Sequence, residues 1–214
     1  MVLGRGGWRV VLLMLCASMA WAAWAADAPR LFYSRSFPGS TPPYIQVTVE
    51  KSGAAEYREA VDDDLPLKSK LSDADTQELF DLAGKLDYFK HPVESPLKVA
   101  FMGAKTFRYE NGDQKSEAQF NYSQDLQAQA LLDKFERIAE TAAHRIDLER
   151  TAKYDHLGVM KALLQLEGAM GRNRVVAPEQ FLPMLDRVAN NETYMHTARA
   201  LAAEIAEAIR GPKK

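Results

Sequence analysis

Cysteine and tryptophan are almost missing from this chain, and the few present are confined to one end. Of 214 residues, one is cysteine (Cys16) and three are tryptophan (Trp8, Trp21, Trp24), all within the first 25 positions. The remaining stretch therefore offers no disulfide, no thiol nucleophile and no thiolate metal site. A basic excess is missing as well, with 27 Lys and Arg against 29 Asp and Glu. Nucleic-acid binding draws on cationic contacts to phosphate, so a general role of that kind is not expected. Neither G-x-G-x-x-G nor G-x-x-x-x-G-K is present to cradle a phosphate, and HExxH is absent. Gly39-Ser40-Thr41 lacks the second glycine of a nucleophile elbow and runs into Pro42-Pro43 rather than a helix.

What is present begins with an apolar N-terminus. The first 25 residues hold 19 apolar side chains, Arg5 and Arg9, and no acid. The two arginines, the apolar run from Val10 to Ala17, and the small-x-small sequences Ala20-Trp21-Ala22 and Ala23-Trp24-Ala25 form the pattern of an export signal. Cleavage is expected after Ala25, leaving a mature chain in the bacterial periplasm or exterior with no stable membrane span. A retained anchor is the competing reading, but Val10 to Ala26 gives only 17 residues, the short end for crossing a bilayer. Lipidation of Cys16 is disfavoured because Leu15 stands where a lipoprotein signal places a small residue. Loss of two arginines moves the net charge from −2 to −4.

Composition divides the rest near Tyr122, since 13 of the 17 Phe and Tyr residues precede Ser123. Residues 26–122 read as an antiparallel sheet with a helix, and residues 123–214 as a helical bundle. Tyr44–Glu50 alternates apolar and polar side chains, Lys51-Ser52-Gly53 turns, and Ala54–Val61 returns. Leu31–Phe37 is a further strand. Ser72 opens a helix carrying Leu79, Leu82, Ala83 and Leu86 and ending near Tyr88. A three-stranded meander follows, from Leu97–Phe101 through Phe107 and Tyr109 to the Asn111-Gly112 turn, and back through Ala118, Phe120 and Tyr122.

From Ser123 the period becomes helical. Leu126, Ala130, Leu131, Phe135, Ile138, Ala142 and Ile146 form one expected stripe. Asp155 is placed to cap the next helix, which Gly171 ends. Pro178 starts another, with Phe181, Leu185 and Val188 on one face, and Tyr194, Ala198, Leu201, Ile205 and Ile209 mark the last. The expected fold is α+β: an antiparallel meander sheet with one packed helix, followed by a C-terminal bundle of three or four α-helices. In layout alone it resembles exported bacterial domains of that kind.

Candidate chemistry centres on four histidines, His91, His144, His156 and His196. Glu140 with His144, and Glu192 with His196, are spaced to share a helix face, where an ordinary ion pair is favoured over a metal site. Tyr154-Asp155-His156 sets an acid beside a histidine, although adjacency in sequence does not aim a carboxylate at a ring nitrogen. Asp62-Asp63-Asp64 is consecutive rather than alternating around a glycine, so a solvated hairpin end is favoured over a calcium loop. Asn121-Tyr122-Ser123 and Asn191-Glu192-Thr193 match the glycosylation pattern. Lys105 and Arg108 with the interleaved aromatics suggest a binding face, against which stands simple packing of the sheet on its helix. No catalytic, cofactor or metal residue is singled out.

The expected function is a non-catalytic cell-envelope protein that binds another envelope protein or polymer. The alternatives are a metal-dependent periplasmic hydrolase using His144, His156 or His196, and a small-molecule or lipid carrier. Export has a spectroscopic consequence, because every tryptophan lies in the segment to be removed. Protein recovered from the envelope is expected to fluoresce as tyrosine alone; a tryptophan band would mean that Trp21 or Trp24 is retained.

Overall fold

Alternation and turn chemistry build the first half. The computed structural model describes residues 28–211, and the expected export segment lies outside the described residues. Strands β1 (Arg30–Ser36), β2 (Tyr44–Glu50) and β3 (Ala54–Arg58) form a meander, and β4 (Leu67–Lys70) adds a short edge. Helix α1 (Asp73–Lys85) follows, its first turn capped by the Ser72 hydroxyl, which accepts the Asp75 N–H at 3.0 Å. Strands β5 (Ala104–Asn111) and β6 (Gln114–Phe120) are joined at the expected Asn-Gly turn. The six strands run antiparallel in the order β4-β3-β2-β1-β5-β6, with β2 and β1 at the centre.

The period of two divides the sheet into unlike faces. Leu31, Tyr33, Ile45, Val47, Val49, Phe107, Tyr109 and Phe120 point to the helices and are buried. On the other face Glu50, Arg30, Glu110 and Lys115 stand opposite one another in a row across four strands, alternating in charge. A parallel row carries Lys68, Glu56, Thr48, Phe32, Arg108 and Glu117. Arg108 lies over the Phe32 ring at 4.1 Å and pairs with Glu110 at 3.1 Å. Neighbouring opposite charges let this face meet water without a second layer. Lys105 and Arg108 thus fall on opposite faces. The aromatics between them pack against helices rather than lining an open surface with both cations.

Helix α2 (Leu126–Tyr154) runs 29 residues, about 43 Å at the standard rise. The Asp125 carboxylate caps it, accepting the N–H groups of Gln127 at 2.7 Å and Ala128 at 3.1 Å. Its apolar stripe differs in phase from the expected one. Leu126 is exposed and Ala130 faces solvent, while Ala128, Leu131, Phe135, Ile138, Ala139 and Ala142 meet the sheet. Two helices therefore cover the sheet, since the first half of α2 lies beside α1. Phe135 stacks on Tyr33 at 5.4 Å, and Phe107 gathers Phe120, Phe89 and Phe135 at 4.8, 5.3 and 6.0 Å.

The far end of α2 enters a second core. Leu148 packs with α3 (Val159–Gly171), α4 (Leu182–Ala189) and α5 (His196–Arg210), through Leu163, Leu166, Phe181, Leu185, Val188, Ala198 and Ile205. The N-cap of α3 is Gly158, not Asp155; Asp155 ends α2, and its carboxylate accepts the Gly158 N–H at 3.1 Å. The expected boundary after residue 122 falls at the start of α2, and α2 itself contributes to both cores. Among the described residues no helix is long and apolar enough to cross a membrane.

Three successive residues after α1, Asp87, Tyr88 and Phe89, take positive φ values of 48°, 50° and 67°. Left-handed backbone is unfavourable for residues with a Cβ. It persists because it turns Tyr88 onto Tyr109 (4.3 Å) and buries Phe89 beside Phe107. Truncation at the centre of this aromatic group should be severe. Phe135→Ala is expected to lower unfolding stability by about 3–5 kcal/mol in urea titration, and a loss below about 1 kcal/mol would place the main core elsewhere.

Candidate functional site: a braced apolar loop

Between the left-handed turn and β5 the chain forms neither helix nor strand. The alternation at Leu97–Phe101 predicts a strand, and this expectation is corrected: those residues run outside the sheet. Strand β5 already has β1 on one side and β6 on the other, so no interior place is vacant. The segment instead carries Leu97, Val99, Phe101 and Met102 into solvent, with exposures of 52, 39, 59 and 46%. Single exposed apolar residues, such as Leu126, are ordinary on protein surfaces. Four within six residues form a patch, and patches mark contact surfaces.

This loop is tied down from beneath. Asn121, just past the end of β6, donates from Nδ2 to the Ala100 carbonyl at 3.0 Å and accepts the Met102 N–H on Oδ1 at 2.7 Å. One side chain therefore holds the backbone on both sides of Phe101. Asn121 is itself fixed, its N–H donating to the Glu94 carboxylate at 2.5 Å and its carbonyl accepting from Lys105 Nζ at 2.8 Å. The ammonium of Lys105 also donates to the carbonyls of Met102 (3.2 Å) and Gly103 (3.4 Å). Lys105 is buried, and burial lowers its pKa from the ordinary lysine value. At the other end of the loop, the Ser95 N–H donates to the Tyr122 carbonyl at 2.8 Å.

Gly103 permits the close return. Its φ is +96°, and a Cβ there would meet Phe37 Cβ at 3.0 Å and the Ser36 carbonyl at 3.3 Å. Phe37 stands edge-on to Phe101 with ring centres 6.1 Å apart. The result is a short apolar projection at one end of a rigid sheet, supported by a buried cation and a bidentate asparagine.

The residues singled out in the sequence are dispersed. His144 lies on α2 with Nε2 3.9 Å from Glu140 Oε1, beside an open groove of about 1020 Å³ that Asp147, Lys161 and Arg172 also line. Glu140 is claimed by Arg174, which donates to it at 2.8 Å and to Asp133 at 2.5 Å. Glu192 and His196 do not share a helix face, because α5 begins at His196. His156 is exposed, its ring 4.8 Å from that of Tyr194, and Asp155 is occupied with Gly158. His91 pairs with Asp87 at 3.4 Å on the surface. Among the described residues no three His, Cys, Asp or Glu side chains gather as metal ligands. Asp62-Asp63-Asp64 sits in the β3–β4 connection, where Asp63 Oδ1 accepts the Leu65 N–H at 2.9 Å. Asn191 Oδ1 accepts the Thr193 N–H at 3.0 Å. Asn121, met in the sequence as part of a glycosylation pattern, is the residue that organises the loop.

Of the four histidines, His144 has a clear physical signature. Burial in the wall of α2 lowers its pKa below 6.5, outweighing the opposing pull of Glu140. The unfolded chain then binds more protons than the fold in the window beneath pH 6.5, so stability is complete above that value and declines as pH falls through the window. His144→Gln is expected to flatten this part of the stability profile in urea titrations across pH. An unchanged slope would contradict it.

No protein-family model matches the chain, and no curated protein matches it. The functional reading rests on the geometry of its own residues.

Proposed function

We propose that this is an exported, non-catalytic interaction protein that docks a partner macromolecule of the cell envelope through the loop at residues 97–102. The observation that carries the reading is the exposed run Leu97, Val99, Phe101 and Met102, with the backbone flanking Phe101 held by Asn121. Apolar exposure raises the free energy of the isolated protein in water, and covering it recovers roughly 1.5–3 kcal/mol for a large side chain. An unbraced loop would lose much of that gain in becoming ordered on binding. Here the ordering is built into the fold by Asn121, Lys105 and Gly103. The export reading is supported by the N-terminal sequence, with Arg5 and Arg9 preceding the apolar run and small-residue cleavage sites following it.

A photo-crosslinking residue placed at Phe101 in producing cells tests this, with Gln119 on the charged open sheet face as the comparison site. An adduct of discrete mass is expected from position 101 and not from 119, and Leu97→Asp should abolish it. Equal labelling at both sites, or none at 101, would overturn the proposal.

A further inference from the structure

The arrangement around Phe101 specifies more than a sticky surface. We propose that Val99–Met102 is a substrate-like loop, which seats Phe101 in the aromatic-accepting pocket of a serine endopeptidase outside the cytoplasm and resists turnover there. This rests on the docking reading and names the class of partner. A serine endopeptidase of this kind cuts after the side chain that fills its main pocket, so the bond at risk is Phe101–Met102. The two Asn121 contacts lie on either side of that bond. Nδ2 holds the Ala100 carbonyl on the acyl side, and Oδ1 holds the Met102 N–H on the amine side. Lys105 adds further anchorage to the amine side through the Met102 and Gly103 carbonyls.

The backbone is also free to pair. Among the described residues, Lys98, Val99, Ala100 and Phe101 donate no backbone hydrogen bond within the fold. Peptides bound as an added strand use such groups. The side chains leading to Phe101 are aliphatic apart from Lys98, which suits an apolar cleft.

Anchorage on both sides explains resistance to cleavage. The enzyme's serine oxygen adds to the Phe101 carbonyl carbon, the bond to Met102 nitrogen breaks, and that nitrogen takes a proton to leave as an amine. In an ordinary substrate the amine diffuses away, and water then releases the acyl group as a carboxylate. Here the Met102 amine stays in place, because the chain on its side is fixed to Asn121 and Lys105. It loses its proton, re-attacks the acyl carbon and expels the serine oxygen, so the original bond is restored with no net change. A held nucleophile has an effective concentration on the order of 10⁵ M or more when well oriented, far above that of liquid water.

Chymotrypsin, which takes aromatic side chains, serves as the probe enzyme. The purified protein is expected to compete with a peptide substrate while remaining largely intact, with any cut confined to Phe101–Met102. Phe101→Ala, an exposed position whose change leaves the core untouched, should weaken inhibition roughly 100-fold, as loss of an anchoring aromatic does. Asn121→Ala should still compete at first but be cut at Phe101–Met102 at least roughly tenfold faster, becoming a substrate. The proposal falls if the protein fails to compete, or if its loop is cut as fast as a free peptide of the same sequence. It falls also if position 101 engages phospholipid vesicles instead of the enzyme. Crosslinking of residue 101 to an envelope protein without any effect on chymotrypsin would leave the docking reading standing and remove this one.

Discussion

Phe135 stacks on Tyr33 and touches the Phe107 cluster, while Leu148, further along the same helix, enters the core shared by α3, α4 and α5. Because α2 belongs to both cores, the sheet layer and the helical bundle cannot shift independently without disturbing one rod. Polar contacts reinforce the junction. Thr141 is buried on α2, and its hydroxyl oxygen accepts the N–H of buried Val176 at 3.0 Å, tying the segment between α3 and α4 to the sheet side. Arg145 donates to the Lys68 carbonyl at 2.9 Å and so reaches the far edge strand. Surface pairs such as Arg174 with Asp133 add little individually; the apolar burial of α2 dominates.

A rigid sheet is what allows its end to carry an unconventional loop. Loops bearing function are most effective on scaffolds that do not move, and β1, β5 and β6 supply one here. Buried Phe120 anchors the end of β6 directly opposite Lys105 at the start of β5, Phe107 packs two residues further along β5, and Asn121 follows Phe120. A buried lysine is costly unless its donors are used. Three carbonyls, all in or beside the loop, accept from this one. Burial of the cation and order in the loop are thus two aspects of one network. The exposed apolar run is held on a fixed backbone.

Much of the fold could be read from residue pattern. The meander of Tyr44–Glu50 and its return, the capped helix after Ser72, the Asn111-Gly112 turn and the terminal helices all follow from local chemistry that tertiary packing reinforces. Strand β4 was not legible, because Leu67–Lys70 has two lysines, only four residues and no buried side chain. It exists through long-range contacts: its pairing with β3, the partial packing of Leu67 against the core and the Arg145 contact to the Lys68 carbonyl. The phase of α2 departs from the expected stripe at Leu126, which is exposed in the first turn after the Asp125 cap.

The loop itself shows the limit of alternation as a signal. Leu97–Phe101 has the pattern of a half-buried strand, yet nothing resembling a turn separates it from β5 except Gly103, and antiparallel neighbours need a turn between them. That missing turn was the available warning. No sequence pattern pairs Asn121 with Ala100 and Met102 across twenty residues (roughly), since such contacts arise only when β6 ends beside the loop.

Docking through this loop requires that Asn121 hold the backbone around Phe101. Residue-resolved amide hydrogen exchange of the native protein tests it directly. The Met102 amide is expected to be protected to a degree comparable with β5, while Val99 and Phe101, three and one positions before it, exchange as open chain. If Met102 exchanges as fast as Val99 and Phe101, the loop is not held, and the functional reading built on it is wrong.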